Sequence, residues 1–268
     1  MTDRYAVIGN PVAHSRSPDI HAAFARETAQ DIDYGRVLSP LDGFAATVQA
    51  FRDAAGRGAN VTLPFKEQAF GLSTTRTRRA EQAGAVNTLR FDGSRVDGDN
   101  TDGVGLVRDL RDNLGVMLAG AKVLVIGAGG AGRGVLGPLA DESPGMLAIA
   151  NRTRARAVEL AARFGIEAVE LGQLGGARFD VVINATSASL GGGEFHLPPG
   201  LFATGSFAYD MMYGKGATPF LSGARAQGAT IADGLGMLVE QAAESFFFWR
   251  GVRPTTRPVL EAIRRTLA

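Results

Sequence analysis

The chain has 268 residues, a net charge of +1 and 45% hydrophobic residues, which together predict a globular protein of one large or two ordinary domains. Because 28 Lys and Arg nearly balance 27 Asp and Glu, the composition argues against a nucleic-acid or membrane-surface partner. The absence of cysteine excludes disulfides and thiol chemistry, and the amino terminus lacks the apolar run of a signal peptide. We therefore expect a cytoplasmic protein.

Seven short apolar segments alternate with helical stretches and predict the buried strands of an α/β fold. They cover residues 5–9, 59–63, 122–127, 146–151, 180–186, 207–213 and 229–234. The segment Asp97–Asp102 is polar and turn-forming, and the clearest strand–glycine–helix unit follows at Lys122, which predicts a domain boundary in this region. The apolar residues of the last long helix, around residues 235–251, have helical spacing, so we expect this helix to return to the amino-terminal domain.

The first predicted strand runs into "GNPVAHSRSP", which places Ser15 and Ser17 beside the start of a helix. Two hydroxyls at a helix amino terminus suit a small carboxylate. Alternatively, Ser17 followed by Pro18 is simply an N-cap and first-turn pair. His14 and His21 have no third ligand at a supporting spacing, so we predict no metal site.

In "GANVTLPFKE", an apolar strand ends at Pro64 and Lys66 falls in the first turn of the next element. The amino end of a helix carries a partial positive charge, so a cation there costs about 0.3–1 kcal/mol. A lysine in this unfavourable position suggests a functional role.

The segment "KVLVIGAGGAGRG" places Gly127, Gly129 and Gly132 in the G-x-G-x-x-G spacing between a strand and a helix. This pattern is typical of a dinucleotide-binding turn, although a tight βα turn is the alternative. The next strand ends in "NRTRAR" with no carboxylate for a ribose hydroxyl. Cations there favour NADP over NAD because they can bind a 2′-phosphate, although they could also form a solvated helix start.

Nine motifs in one order then identify the chain as a member of the shikimate dehydrogenase family. They are "GNPVAHSRSP", "GANVTLPFKE", "AGAVNTL", "GDNTDGVG", "GAGGAGRG", "NRTRARA", "INATS", "YDMMYGKGATPFL" and "GLGMLVEQAAESFFFWRG". The resemblance implies NADP-dependent interconversion of shikimate and 3-dehydroshikimate. It also implies an α/β substrate domain at residues 1–103, a Rossmann-type doubly wound NADP domain at 104–236 and C-terminal helices at 237–268 that pack back on the substrate domain.

The same resemblance implies site residues. Lys66 and Asp102 would be the acid/base pair, with the proton carried by Lys66 alone or shared with Asp102. The substrate carboxylate would bind Ser15 and Ser17, and the remaining substrate-side residues would be Asn60, Thr62, Asn87, Tyr213 and Gln241. The NADP-binding residues would be Gly127, Gly129, Gly130, Gly132, Asn151, Arg152, Thr153, Arg156, Thr186, Ser187, Met211 and Gly234.

Several alternatives stay open from the sequence. Asn87 and Thr62 also fit as ordinary strand-edge residues, Asp102 as an N-cap, and Gln241 as part of a solvated face with Glu240 and Glu244. The family commonly has Ser or Ala in place of Gly132, and Gly in place of Ser189, where a side chain could shift the following loop. Quinate or an aminated analogue could replace shikimate, and a catalytically silent NADP-binding sensor is the rival class. We expect a monomer or homodimer.

Overall fold

The computed structural model describes residues 2–173, 176–186 and 195–267. The chain divides into two units, each with its own sheet. The first unit contains residues Met1–Gly105 and Val239–Ile263, and the second contains Leu106–Leu238 and Arg264–Ala268.

The first unit has a mixed six-stranded sheet flanked by short helices. Its strands are β1 (Asp3–Gly9), β2 (Ile32–Leu38), β3 (Gly56–Val61), β4 (Thr75–Arg76), β5 (Thr88–Asp92) and β6 (Arg95–Asp99), in the spatial order β2-β1-β3-β5-β6-β4. Pairs β1/β2, β1/β3 and β4/β6 are parallel, and β3/β5 and β5/β6 are antiparallel. The helices are α1 (Ser17–Glu27), α2 (Phe44–Asp53), α3 (Lys66–Leu72) and α4 (Arg78–Ala83), and α5 (Asp102–Arg108) begins in this unit and ends in the second. Ile8, Phe44, Phe65 and Leu89 lie in the core that fixes α2 and α3 against the sheet.

The second unit has a six-stranded parallel sheet, which confirms the prediction of a Rossmann-type doubly wound fold. Its strands are β7 (Lys122–Ile126), β8 (Met146–Ala150), β9 (Glu167–Ala168), β10 (Phe179–Asn184), β11 (Phe202–Asp210) and β12 (Thr230–Asp233), in the order β12-β11-β10-β7-β8-β9. The helices are α6 (Gly130–Asp141), α7 (Arg154–Phe164) and α8 (Pro219–Ala226). The chain winds outward from β7 in both directions, so the topology reverses between β7 and β10. Open α/β sheets bind ligands at such a switch point.

Two helices complete the chain, α9 (Leu235–Arg250) and α10 (Arg257–Leu267). In α9, Val239, Ala242 and Phe246 are buried, as the helical spacing predicts. Trp249 stacks on Tyr5 of β1 with ring centroids 4.6 Å apart, so this end of the helix packs on the first sheet. Within the described part of the chain, no helix combines the length and the apolar character needed to span a membrane.

Each of the seven predicted strands is present, but the polar hairpin β5–β6 was not predicted. Asp97 and Asp99 lie inside β6 and are buried, so the prediction of a turn at this point is wrong. The reason is charge pairing, since Arg90 binds Asp97 and Arg79 binds Asp99. Carboxylates neutralised in this way can occupy a strand that an apolar pattern does not reveal.

Candidate functional site

Lys66 is the first residue of α3, directly after the turn that follows β3. Its Nζ lies 2.6 Å from Oδ2 of Asp102, and both side chains are largely buried, with relative exposures of 16% and 7%. The lysine therefore meets a carboxylate that offsets its unfavourable position at the helix start.

Asp102 does not act as an N-cap, so this alternative for it is wrong. It is itself the first residue of α5, and its backbone N–H donates to Oδ1 of Asn100 at 3.2 Å. Its carboxylate accepts from side chains instead, Lys66 on Oδ2 and Asn87 Nδ2 on Oδ1 at 2.8 Å. One carboxylate thus orients both a cation and an amide.

The amide of Asn87 is held in one orientation. The backbone N–H of Thr101 can only donate, and it lies 2.9 Å from Oδ1 of Asn87, so Nδ2 must point the other way, toward Asp102. Thr88 Oγ1 also donates to Oδ1, at 3.0 Å, and Nδ2 lies 3.4 Å from Oε1 of Gln241. Asn87 is buried within this cluster, so it is not an ordinary strand-edge residue.

Gln241 lies on α9 and is half-buried, and the helix face that carries it is not solvated. Its neighbours Glu240 and Glu244 are both buried, at 6% relative exposure. Glu244 binds Arg79 and Arg253, at 3.0 and 2.7 Å. The alternative of a solvated glutamate face is therefore wrong.

Asn60 is buried, and both ends of its amide are bonded within the protein. Oδ1 accepts from the phenol of Tyr34 at 2.7 Å, while Nδ2 donates toward Asn87 O, Thr88 Oγ1 and Ser245 Oγ at 2.9–3.2 Å. Burial raises the pKa of Tyr34 well above its ordinary value, which keeps the phenol a donor. In this structure Asn60 therefore stabilises the hydrogen-bonded cluster around Asn87.

Ser15 and Ser17 lie together at the start of α1. The two hydroxyl oxygens are 3.1 Å apart, and the backbone N–H of Ser17 donates to Ser15 Oγ at 3.3 Å. Ser17 is inside the helix, so its assignment as the N-cap is wrong. Arg36 donates through Nε and Nη2 to the carbonyl of Ser15, at 3.0 and 2.6 Å, which holds this turn in place. Thr62, half-buried, directly follows β3.

In the second unit the glycine turn connects β7 to α6. Gly127 has a φ of +117°, which side chains rarely adopt, and a Cβ on Gly132 would lie 2.0 Å from the carbonyl oxygen of Gly127. The third glycine therefore lets the helix approach the strand closely, as its spacing predicts. A Cβ on Gly129 or Gly130 would meet nothing within 4 Å, so open space adjoins the backbone at this helix start, as a bound pyrophosphate requires.

The end of β8 carries the predicted 2′-phosphate residues. Asn151 joins this strand end to the glycine turn, because its Oδ1 accepts from the backbone N–H of Ala128 at 3.1 Å. Arg152, Thr153 and Arg156 are exposed around the start of α7. Neither Arg152 nor Arg156 has an ion-pair partner among the described residues, whereas the intervening Arg154 binds Glu170 at 2.7 Å.

Three further strand ends carry the remaining nucleotide-side residues. Thr186 follows β10, and its hydroxyl donates to Asn184 Oδ1 at 2.7 Å. Met211 follows β11, and Gly234 follows β12 with so little space that a Cβ would lie 2.3 Å from the carbonyl oxygen of Met211. Tyr213, also in the second unit, is half-buried. Ser187 and Ser189 lie outside the described residues.

The sequence alone did not reveal the hydrogen-bond partners of these side chains. They are the buried residues Tyr34, Thr88, Thr101, Asn184 and Ser245, the exposed Arg36, and the buried Asp210, which accepts from Asn184. Thr101, Asn184 and Asp210 could have been found, since they lie in the motifs "GDNTDGVG", "INATS" and "YDMMYGKGATPFL". The others are ordinary strand and helix residues with no diagnostic spacing.

A doubly wound sheet with a glycine turn after its first strand, in a chain whose other α/β unit carries a Lys–Asp pair, defines a dinucleotide-dependent oxidoreductase. Three family models match the chain. Residues 7–89 match the shikimate dehydrogenase substrate binding domain, residues 110–191 match shikimate/quinate 5-dehydrogenase, and residues 234–264 match the shikimate 5′-dehydrogenase C-terminal domain. The chain belongs to the shikimate dehydrogenase family.

Individual relatives agree over the full length. The chain is 59% identical to a shikimate dehydrogenase (NADP(+)) of Dechloromonas aromatica and 58% identical to one of Nitrosospira multiformis, each over 100% of this chain and 99% of the relative. A crystal structure of shikimate 5-dehydrogenase from Thermus thermophilus, in complex with NADP(H) and shikimate, superposes with a TM-score of 0.90 at 36% identity. That alignment covers 99% of this chain and 100% of the Thermus chain.

Proposed function

We propose that this protein is an NADP-dependent oxidoreductase that reversibly reduces 3-dehydroshikimate to shikimate. The observation that carries the proposal is the 2.6 Å pair of Lys66 and Asp102, held beside the Asn87 amide in a chain of this family. An ammonium and a carboxylate at this distance can deliver and recover one proton, which is what reduction of a ketone requires of the protein.

The first unit is the proposed substrate domain. Ser15 and Ser17 present two adjacent hydroxyls for the substrate carboxylate. Asn87, Thr62 and Gln241 supply amide and hydroxyl groups for the ring hydroxyls. Asn60, buried with its amide bonded to Tyr34 and Ser245, is the remaining proposed substrate-side residue of this unit. Tyr213 is also a proposed substrate-binding residue.

Lys66 is the proposed general acid in the reducing direction. Its ammonium polarises the ketone and donates a proton to the oxygen as the carbon receives hydride, and in the oxidising direction the neutral amine takes the proton back. Asp102 holds the ammonium in place by accepting from Nζ on one oxygen, while the Asn87 amide occupies the other. Both oxygens are thereby engaged, so the carboxylate cannot swing away from the lysine without breaking a second hydrogen bond.

The second unit is the proposed NADP domain, and its residues fit the cofactor. When bound, NADPH supplies the hydride. The open backbone at Gly129 and Gly130 suits the pyrophosphate, and the exposed guanidinium groups of Arg152 and Arg156 suit the 2′-phosphate. Gly127, Gly132, Asn151 and Thr153 shape this turn, and Thr186, Ser187, Met211 and Gly234 are the proposed residues on the nicotinamide side.

Steady-state kinetics with shikimate and quinate, each paired with NADP+ and NAD+, test the proposal. We expect the highest kcat/KM for shikimate with NADP+. Faster turnover of quinate would reassign the substrate, and no turnover of either acid would favour the silent NADP-binding sensor. The proposal includes a cytoplasmic monomer or homodimer with no nucleic-acid partner.

A further inference from the structure

Ser245 takes no part in the proposed chemistry, yet its hydroxyl lies at the centre of the buried cluster behind Asn87. The side chain, on α9, is fully buried at 0% relative exposure. Its Oγ lies 2.9 Å from Asn60 Nδ2, 2.7 Å from Thr88 Oγ1 and 3.2 Å from Thr101 Oγ1, and it can donate to the carbonyl of Gln241 at 3.0 Å. One hydroxyl therefore contacts groups from two strands, from the turn before α5 and from its own helix.

Two of these contacts lead directly to Asn87. Thr88 Oγ1 donates to Asn87 Oδ1 at 3.0 Å, and Thr101 Oγ1 lies within 3.2 Å of both polar atoms of the same amide. Ser245 thus touches two of the hydroxyls that bond the Asn87 side chain.

The orientation of that amide matters because its two ends differ chemically. As it stands, Nδ2 donates to the Asp102 carboxylate and Oδ1 accepts from the Thr101 backbone N–H. Rotating the amide by half a turn would place oxygen against carboxylate and N–H against N–H, leaving buried groups unpaired. A hydroxyl that fixes Thr88 and Thr101 therefore opposes this rotation.

We propose that Ser245 is a positioning residue for this site. By holding Thr88 and Thr101, it keeps the Asn87 N–H on one oxygen of Asp102 and so leaves the other oxygen for Lys66. This role rests on the proposed function, in which Lys66 donates the proton and Asp102 holds the lysine in place. Ser245 would act on this pair through Asn87.

Ser245→Ala tests the role. Loss of a buried hydrogen-bond node of this kind should lower kcat/KM for the acid substrate by about 10-fold, with the dissociation constant of NADP+ unchanged. Ser73→Ala is the matched control. Ser73 is also buried in the first unit and also donates to the carbonyl four residues earlier, Ala69 at 2.8 Å, so the control removes the same kind of bond outside the cluster. Its kcat/KM should stay close to that of the wild type.

A double-mutant cycle separates positioning from general packing. If Ser245 acts through Asn87, Ser245→Ala should have no further effect on kcat/KM in an Asn87→Ala background. An equal fold-loss in both backgrounds, or wild-type kcat/KM in Ser245→Ala alone, would overturn the proposal. Should Ser245→Ala fail to fold, Ser245→Cys keeps a side chain of similar shape with a weaker donor and takes its place in the cycle, under the same criteria.

The test of Ser245 does not depend on which acid proves to be the substrate. The cycle is measured with whichever of shikimate or quinate the wild type oxidises, so a failure of shikimate as substrate leaves the comparison intact. If the cycle shows no coupling between Ser245 and Asn87 in kcat/KM, the positioning role of Ser245 is wrong and the proposed function is unaffected.

Discussion

The charge of Lys66 and its burial at the start of α3 give the most direct prediction for a single residue. Lys66→Ala removes the only proposed proton donor to the ketone, so kcat should fall by roughly 10²–10⁴, with a smaller change in KM. Asp102→Asn should also lower kcat severely, since the Asp102 carboxylate holds Nζ of Lys66 at 2.6 Å. The double variant should lose much less than the product of the two single losses, because the pair acts as a unit.

The matched control for Lys66 is Lys122→Ala, which removes an exposed lysine at the start of β7. It should retain wild-type kcat in the same steady-state assay. If Lys66→Ala folds, binds both ligands and turns over at a rate near that of the wild type, the proposed mechanism is wrong.

Residue by residue, sequence reasoning found the site where a side chain breaks a local rule. Lys66 stands out because a cation at a helix start is unfavourable, and the glycines of the βα turn stand out by their spacing. Ser245 and Thr88 break no rule, because a serine in a helix and a threonine in a strand are common. Their importance comes from contacts between segments as much as 185 residues apart, which no local pattern encodes.

At the scale of elements, the turn from β8 into α7 decides the choice of dinucleotide. Arg152→Ala and Arg156→Ala should weaken NADP+ far more than NAD+, because only NADP+ carries the 2′-phosphate that these exposed cations can bind. We expect about a 10-fold or greater rise in the dissociation constant of NADP+ for each variant, measured by titration calorimetry against both cofactors.

Arg154→Ala provides the control within the same turn of helix. Its guanidinium is already bound to Glu170 at 2.7 Å, so its removal should change NADP+ affinity much less. Equal losses for NADP+ and NAD+ in the Arg152 and Arg156 variants would remove the basis for the 2′-phosphate assignment.

Whether a strand could be predicted from the sequence depends on how deeply it is buried. Strands β7, β8 and β10 are central in a parallel sheet, so they are buried on both faces and their sequences are nearly continuous apolar runs. Strand β2 is at a sheet edge with mostly exposed or half-buried residues, and its sequence lacks that signal. The charged hairpin β5–β6 required ion pairs, such as Arg90 with Asp97, that become visible only in three dimensions.

At the scale of the whole molecule, each unit places polar groups after the carboxyl ends of parallel strands. In the first unit the Ser15 turn follows β1 and Lys66 follows β3, while in the second Gly127, Asn151 and Thr186 follow β7, β8 and β10. The alternation of strands and helices in the sequence predicts this arrangement, because parallel strands bring their carboxyl ends to one edge. Most of the polar groups described in the first unit are paired, which makes one exception important for stability.

That exception is His21, in the core of the first unit. Its ring is fully buried and stacks on Tyr34 with centroids 4.2 Å apart, and neither ring nitrogen has a hydrogen-bond partner among the described residues. Burial lowers the pKa of His21 from 6.5 to about 3, and the nearby Asn60 side chain offsets this only in part. The folded protein therefore holds this histidine neutral where an unfolded chain would protonate it.

The stability of the fold should depend on pH through this residue. The pKa of His21 is lower in the folded protein than in the unfolded chain. The contribution of neutral His21 to the free energy of unfolding is therefore complete above pH 6.5 and is lost as the pH falls toward about 3. Between pH 7 and pH 4 this amounts to about 3 kcal/mol of unfolding free energy. Urea unfolding can be followed by the single tryptophan, Trp249, whose ring lies 5.3 Å from that of His21. The drop in unfolding free energy between pH 7 and pH 4 should be smaller by about 3 kcal/mol in His21→Leu. It should be unchanged in the control His14→Leu, since His14 is exposed. Parallel pH profiles for the wild type and His21→Leu would show that the buried imidazole does not set the acid sensitivity of the fold.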